Sequence, residues 1–80
     1  MELKNKDGRL TRYGLACGHI ERKESEYEGD NYRSVTLKMD GSVLLVNCYN
    51  RELNIRESFG TNKIKDARRV YARKCREYAL

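Results

Sequence analysis

The sequence has no proline, no tryptophan and only one phenylalanine among its 80 residues. No apolar run approaches the ~20 residues that a bilayer span requires, which excludes a transmembrane helix. The opening residues lack the apolar stretch of a secretory signal, so we expect a cytoplasmic protein that does not contact a membrane. The length allows one domain with a small core, and a deep active site is not expected in it.

Histidine and cysteine are also scarce. His19 is the only histidine, and the three cysteines are Cys17, Cys48 and Cys75. An odd number of cysteines argues against a disulfide framework, and a structural zinc site usually needs four ligands that include a close pair. A Cys17–His19 dyad would need a pocket, whereas residues two apart on a strand lie on one open face. We therefore predict three mostly buried thiols, no enzymatic activity, no metal and no cofactor.

Turn-forming and charged residues divide the first part of the chain. Residues 1–10 are predicted as a polar tail or turn. The alternation of apolar side chains predicts a first strand over residues 11–22, in which Gly14 and Gly18 favour a bulge or a close backbone approach. Residues 23–31 are rich in glutamate and are predicted to form a solvated hairpin loop.

Three more strands are predicted, over residues 32–39, 42–49 and 52–59. An Asp-Gly pair at 40–41 favours a type I′ hairpin turn, which needs positive φ at both residues. A second turn is predicted at 50–51. The strand at 42–49 is apolar on both faces, which places it in the middle of the sheet and leaves a homodimer through it as an alternative.

A C-terminal helix is predicted from about residue 63 to residue 78. Gly60 ends the preceding strand, and Thr61 or Asn62 is the predicted N-cap. The helix carries one apolar stripe, formed by Ile64, Ala67, Tyr71, Cys75 and Tyr78.

The predicted fold is α+β, an antiparallel meander of three to four strands with one C-terminal helix packed on one face. Residues 11–80 would form this single domain behind the polar tail. The predicted core consists of Leu37, Met39, Val43 or Leu44, Val46, Leu53, Ile55, Phe59, Ile64, Ala67, Val70 and Tyr71.

Positive charge is concentrated in the last element. The chain has 17 Lys and Arg against 12 Asp and Glu, for a net charge of +5. Residues 1–60 carry ten of each sign, so the whole excess lies in residues 61–80. A basic helix with few internal partners is typical of a phosphate-backbone binder, although most basic helices are simply solvated. The predicted contacts to nucleic acid or a nucleoprotein complex are Lys63, Lys65, Arg68, Arg69, Arg73, Lys74 and Arg76.

The sheet face opposite the helix is a second candidate surface. Its side chains include types that read base edges in the major groove, although antiparallel sheets often have such a wet face without binding anything. The residues expected there are Ser34, Thr36, Lys38, Asn47, Tyr49, Asn54 and Arg56, of which Lys38, Tyr49 and Arg56 are the candidate contacts. Four tyrosines are candidates for stacking on unpaired bases, namely Tyr13, Tyr27, Tyr32 and Tyr49.

Two short motifs lie at the end of the predicted strands and in the predicted helix. Ser58-Phe59-Gly60-Thr61 follows the strands, and Ala67-Arg68-Arg69-Val70-Tyr71 lies in the helix. This order resembles the AP2-like arm-binding domain of tyrosine-family integrases over residues 32–79. The resemblance implies a sheet that binds in the major groove, but the strands here carry fewer basic and aromatic residues than that family, and no catalytic integrase domain is present.

The run from Leu10 to Glu21, Leu-Thr-Arg-Tyr-Gly-Leu-Ala-Cys-Gly-His-Ile-Glu, is similar to the opening of small uncharacterised bacteriophage proteins. That resemblance implies a phage origin and a bacterial host cytoplasm. We therefore predict a small non-enzymatic phage-type accessory protein that binds nucleic acid or a nucleoprotein complex through its basic helix. The alternative is a phage inhibitor of a host or defence protein, similar to an anti-CRISPR protein, that acts by protein contact.

Overall fold

The computed structural model describes residues 2–25 and 30–80. The elements are α1 (Arg12–Ala16), β1 (Glu21–Glu24), β2 (Arg33–Asp40), β3 (Val43–Asn50), β4 (Ile55–Thr61) and α2 (Ile64–Glu77). The strands form one antiparallel sheet in the order β1-β2-β3-β4, and α2 packs on one face of it. The predicted α+β meander is confirmed, with four strands. In the described residues, no helix has the length and the apolar character needed to cross a membrane.

The predicted first strand, over residues 11–22, is wrong because a short helix occupies its first half. Thr11 is the N-cap of α1, and its hydroxyl oxygen accepts a hydrogen bond from the Gly14 N–H at 3.0 Å. Leu10 and Leu15 flank this cap at the two positions of a hydrophobic staple, and both are buried in the core. The cap and the staple together outweigh the alternating pattern that suggested a strand.

The C-terminal end of α1 depends on Gly18, whose φ is +96°. The Gly18 N–H donates to the Leu15 carbonyl at 3.1 Å, and the His19 N–H donates to the Gly14 carbonyl at 3.2 Å. These two bonds are the pair that defines a Schellman motif, in which glycine takes the left-handed position. Gly18 therefore ends a helix and does not mark a bulge in a strand.

Residues 2–10 pack on this helix and do not form a free tail. The Leu3 carbonyl accepts from the Thr11 N–H at 2.9 Å, and a Cβ added to Gly14 would lie 2.4 Å from the same oxygen. Gly14 is therefore the close backbone approach that the sequence suggested. Asn5 forms the predicted turn, in which its side-chain oxygen accepts from two backbone N–H groups.

Strand β1 begins inside the predicted strand at 11–22 and ends inside the predicted loop at 23–31. Glu21–Glu24 pairs with β2 in the register that places Glu21 opposite Leu37. The predicted loop at 23–31 therefore begins later than expected, and its residues 26–29 lie outside the described part of the chain.

The hairpin between β2 and β3 is confirmed, with a loop one residue later than predicted. Asp40 pairs with Val43, so the two loop residues are Gly41 and Ser42. Of these two, only Gly41 has positive φ, at +63°. This is the pattern of a type II′ turn, which needs glycine at the first loop position, and not of the predicted type I′ turn.

Strand β4 is later in the chain than the predicted strand at 52–59. It starts at Ile55 and runs to Thr61, so the prediction that Gly60 ends it is wrong. Residues before it form a turn in which the Asn50 side-chain oxygen accepts from the Leu53 N–H at 3.1 Å. Asn54 completes the turn with a φ of +51°, a left-handed conformation that asparagine tolerates better than most residues. Asn54 is therefore a turn residue and is not on the open sheet face.

The core lies between α2 and the central strands, with α1 at one end. Its buried members are Leu10, Leu15, Val35, Leu37, Leu44, Val46, Cys48, Ala67, Val70, Tyr71 and Cys75, with Met39 and Ile64 partly buried against them. Of the alternatives Val43 and Leu44, Leu44 is the buried one and Val43 is 41% exposed. Three predicted core residues are instead exposed: Leu53 at 63%, Ile55 at 39% and Phe59 at 40%. Val43 faces away from α2, Leu53 lies in a turn, and Ile55 and Phe59 lie on the edge strand, where α2 covers the sheet incompletely.

The start of α2 differs in detail from the prediction. Lys63 is the N-cap and makes no side-chain capping bond, so the predicted caps Thr61 and Asn62 are wrong. The Thr61 hydroxyl oxygen accepts from the Lys63 N–H at 3.2 Å, and the Asn62 carbonyl accepts from the Arg12 guanidinium at 2.7 Å. These contacts join α1 to the start of α2 without a side-chain cap.

Candidate nucleic-acid interface

Four cations of α2 point away from the sheet, at spacings of four, four and three residues. We call Lys65, Arg69, Arg73 and Arg76 the cation row. All four are exposed, and they lie opposite the buried Ala67, Val70, Tyr71 and Cys75. At 1.5 Å per residue, the row extends about 16 Å along the helix.

The cation row has almost no internal neutralisation. Arg69 lies 3.7 Å from Asp66, but its side chain is 76% exposed. An exposed pair of this kind contributes ~0–1 kcal/mol at most. Lys65, Arg73 and Arg76 form no ion pair with any described residue. The row therefore presents its charge to solvent or to a partner.

Two other predicted contacts, Arg68 and Lys74, turn toward the sheet. The Arg68 guanidinium donates to Glu21 at 3.1 Å, and both side chains are only about one fifth exposed, at 20% and 19%. The Lys74 ammonium contacts Glu57 at 3.2 Å and Glu77 at 3.1 Å. Both cations hold α2 to the sheet, so we assign them a structural role.

Glu57 is the centre of the link between β4 and α2. Its carboxylate accepts from the Tyr78 hydroxyl at 2.7 Å and from the Lys74 ammonium at 3.2 Å. These bonds lower the pKa of Glu57 below its ordinary value, the Tyr78 bond contributing most. The same cluster raises the pKa of Lys74, through its bonds to Glu77 and Glu57.

Two cations that the sequence reasoning missed extend the positive surface past the end of the cation row. Arg9 and Lys23 line a hollow of about 220 Å³ together with Arg76, above Tyr71 and Cys75. Burial raises the pKa of the Cys75 thiol, and the charges of Lys23 and Arg9 partly oppose that rise. No local pattern could have joined residues this far apart in sequence, because only the packing of β1 beside α2 brings them together.

Lys63 is exposed at the N-cap, outside the cation row.

The open sheet face carries all the predicted residues except Asn54, and it also carries Ser58 and the apolar Val43 and Leu45. The strand registers place Ser34, Thr36, Lys38, Asn47, Tyr49, Arg56 and Ser58 on the face opposite α2. A shallow groove of about 290 Å³ runs among them, lined by Ser34, Thr36, Asn47, Tyr49 and Arg56.

Several polar groups of this open face are already used inside the protein. Arg22 donates to the Thr36 hydroxyl at 3.0 Å, and Ser58 donates to the Asn47 side-chain oxygen at 2.7 Å. Thr36 is only 7% exposed. A base edge would have to compete with these bonds. A phosphate that contacts the cation row would not have to displace bonds of this kind.

The tyrosines proposed for base stacking are only partly available. The Arg56 guanidinium lies 4.8 Å from the Tyr49 ring centroid and covers one side of that ring. Tyr32 is 7% exposed and donates to Glu24 at 2.6 Å. Tyr13 is exposed on α1, and Tyr27 lies outside the described residues. Of the three that the structure describes, Tyr49 is the one on the open face that a ligand could reach.

The cysteines contribute nothing to this surface. Cys48 and Cys75 are buried and Cys17 is exposed, so the prediction of mostly buried thiols holds for two of the three. Burial raises the pKa of Cys48 to about 11, which keeps that thiol protonated and unreactive at neutral pH. Among the described residues, no group of three or more His, Cys, Asp or Glu side chains is arranged to hold a metal ion.

No family model matches this chain, and neither curated proteins nor solved structures give a match. The resemblances to integrase arm-binding domains and to small phage proteins therefore stay predictions.

Proposed function

We propose that this protein is a non-enzymatic nucleic-acid-binding module of the phage accessory type, which contacts phosphates, in naked or protein-bound nucleic acid, through the cation row of α2. The observation that supports the proposal is the row itself, four exposed cations with one weak internal ion pair. Releasing counterions from phosphates is the main source of sequence-independent affinity, and unpaired cations are the groups that provide it.

The dimensions of the row suit a phosphate backbone. Its length of about 16 Å corresponds to the rise of roughly five nucleotides along one strand of duplex DNA, at 3.4 Å each. Arg9 and Lys23 would continue the contact beyond Arg76. The inward cations Arg68 and Lys74 are excluded from the contact because their charges are already neutralised by carboxylates.

The test compares two variants that each remove three positive charges from opposite sides of the sheet. The α2 variant is Lys65→Gln, Arg69→Gln and Arg73→Gln, and the matched control is Arg22→Gln, Lys38→Gln and Arg56→Gln on the open face. Binding of labelled duplex DNA, single-stranded DNA and RNA is measured between about 50 and 200 mM salt. The α2 variant should bind more weakly and lose about 2.7 from the log–log salt slope on duplex DNA, at ~0.9 per phosphate contact. The control should keep both.

Two results would contradict the proposal. Wild-type protein that binds none of these nucleic acids at the lowest salt would exclude an intrinsic affinity for nucleic acid. A loss confined to the open-face control would move the interface to the sheet, as the integrase resemblance implies.

A second candidate function, inhibition of a host or defence protein by direct contact, is favoured by a different surface. Leu53, in the turn before β4, and Ile55 and Phe59, on β4, are exposed, and apolar contacts of this kind are typical of protein interfaces. Binding through them would depend only weakly on salt, whereas binding through the cation row would depend on it steeply.

A further inference from the structure

The two edges of the sheet differ in how well they are protected. Edge strand β1 has four residues, all of them charged, which is a common way to prevent pairing with another strand. Edge strand β4 has seven residues, of which only Arg56 and Glu57 are charged, and it follows β3 in an unbroken register. Within the described residues β4 pairs only with β3, so its outer backbone groups are open to an added strand.

Two hollows lie beside β4 on the side of the sheet that α2 covers. The larger, about 410 Å³, is lined by Leu53, Ile55 and Tyr78, and the smaller, about 210 Å³, by Phe59 and Val70. The Glu57–Lys74 ion pair lies between them and lines both. Ile55 and Phe59 are four residues apart, or about 13 Å along a strand. An added strand would place side chains at the same spacing over the two hollows.

Each hollow also contains a cation without an ion partner among the described residues. Arg33 lines the larger hollow, and its Nε is buried without a hydrogen-bond partner there. Arg73 lines the smaller hollow and makes no ion pair. A buried donor left unsatisfied is unfavourable, so an acceptor supplied by a ligand that reaches the Arg33 guanidinium would be favourable. The linings of the two hollows together hold three cations, Arg33, Arg73 and Lys74, and two carboxylates, Glu57 and Glu77, both of which are bonded to Lys74. Arg33 and Arg73 are the charges left without an ion partner among the described residues, and they favour a partner with carboxylates flanking its apolar residues.

A second copy of this chain fits the edge less well. Antiparallel pairing about Glu57 would place Ile55 opposite Phe59 of the other copy, but it would also place the two Glu57 carboxylates opposite each other. Pairing about Ser58 would place Glu57 opposite Phe59. Each copy also carries a net charge of +5, which opposes association.

We propose that the free edge of β4 binds an extended acidic segment of a partner protein, which adds a fifth strand and places two apolar side chains, four residues apart, beside Ile55 and Phe59. Main-chain hydrogen bonds to the edge would provide affinity, and the two hollows with their cations would provide specificity. This surface is separate from the cation row except at Arg73, so its test does not depend on nucleic-acid binding.

The probe is the synthetic peptide acetyl-Asp-Asp-Val-Thr-Thr-Thr-Val-Asp-Asp-amide, titrated into the full chain by calorimetry and followed by amide NMR. The protein variant is Ile55→Thr with Phe59→Thr, which keeps good strand formers at two partly exposed positions. The matched control is Val43→Thr, which removes an equally exposed apolar side chain from the opposite face. Nucleic-acid binding equal to that of the wild type shows that a variant is folded. If the wild type binds no nucleic acid, a circular dichroism spectrum identical to that of the wild type serves the same purpose.

We expect saturable binding, shifts of the β4 amides and slower exchange of their outward N–H groups. The double variant should weaken binding about tenfold or more, and Val43→Thr should not change it. The same peptide with Lys in place of Asp, or with Thr in place of both Val residues, should bind at least about tenfold more weakly. Equal binding of the Lys peptide, an unchanged affinity of the double variant, or no binding of the acidic peptide would each overturn the proposal. A dimer in sedimentation that the double variant abolishes would assign the edge to a second copy instead.

Discussion

Arg68 and Arg69 are adjacent in α2 and have opposite surroundings. Arg68 is bonded to Glu21, which also accepts a hydrogen bond from the Leu10 N–H at 2.9 Å. Arg69 is 76% exposed and has only a distant carboxylate nearby. Identical side chains one position apart therefore have different roles, one in stability and one in binding.

This difference predicts separate effects of two alanine substitutions. Arg68→Ala should lower the free energy of unfolding by about 1–2 kcal/mol, because it leaves the partly buried Glu21 carboxylate without its cation. Arg69→Ala should change stability by less than about 0.5 kcal/mol and should weaken nucleic-acid binding. Urea denaturation and DNA titration of both variants provide the measurement. Arg68→Ala that weakens binding without loss of stability would contradict the assignment.

At the scale of elements, the sequence correctly predicted the helix and strands that bury one face, because burial of one face sets the period of their apolar residues. Strands β2 and β3 and helix α2 lie within a residue or two of their predicted ends, because each has an apolar face at a clear period. Segment 11–22 was predicted wrongly because its apolar residues fit strand alternation, although its structure is decided by a cap and a terminal glycine. The hydrophobic staple from Leu10 to Leu15 across Thr11 was the signal that would have indicated a helix.

Strand β4 shows a different limit of sequence reasoning. Apolar residues at Leu53, Ile55 and Phe59 alternate with polar ones, which correctly indicates a strand from Ile55 onward. The alternation does not show how much of the strand the helix covers. Coverage depends on where α2 crosses the sheet, which is a property of the packed molecule. The apolar residues predicted for the core at Ile55 and Phe59 are for this reason exposed on an edge.

The contact between β4 and α2 predicts a pH dependence. The folded state lowers the pKa of Glu57 below its ordinary value of 4.5, so its contribution to stability is complete above that pH and is lost as pH falls through the lowered pKa. Glu57→Gln lacks this contribution at every pH. The free energy of unfolding of the wild type, measured by urea denaturation, should therefore fall relative to that of Glu57→Gln between about pH 5 and about pH 2, by no more than the ~1 kcal/mol of an exposed ion pair.

The control for this experiment is Glu52→Gln, which changes an exposed carboxylate in the turn before β4. Its free energy of unfolding should follow that of the wild type over the same range. Parallel curves for the wild type and Glu57→Gln would show that the Glu57 cluster does not join β4 to α2 in solution.

At the scale of the whole molecule, the sequence shows where along the chain the positive charge lies but not which way each charged side chain points. The excess of five positive charges was correctly placed in residues 61–80, since counting alone shows it. Counting could not show that Arg68 and Lys74 point toward carboxylates of β1 and β4, nor that Arg9 and Lys23 join the surface from elsewhere. The orientation of these side chains depends on which strands lie beneath the helix, and only tertiary packing determines which strands those are.

The outward charge predicts how salt affects stability. Lys65, Arg69 and Arg73 form two like-charged i,i+4 pairs, and Arg76 lies three residues further on. Each such pair costs about 0.2–0.5 kcal/mol, and salt screens this repulsion more than it screens the partly buried pairs at Arg68 and Lys74. Raising NaCl from about 0.05 to 0.5 M should therefore raise the melting temperature by a few degrees, since ~1 kcal/mol corresponds to about 4–8 °C in a domain of this size.

In thermal melts followed by circular dichroism, the variant with Lys65, Arg69 and Arg73 changed to Gln should show a flatter response, and the Arg22, Lys38 and Arg56 control should keep the rise. A wild-type melting temperature that falls with salt would mean that the inward ion pairs outweigh the cation row, and the row would then not be the concentrated, unneutralised charge that phosphate binding requires.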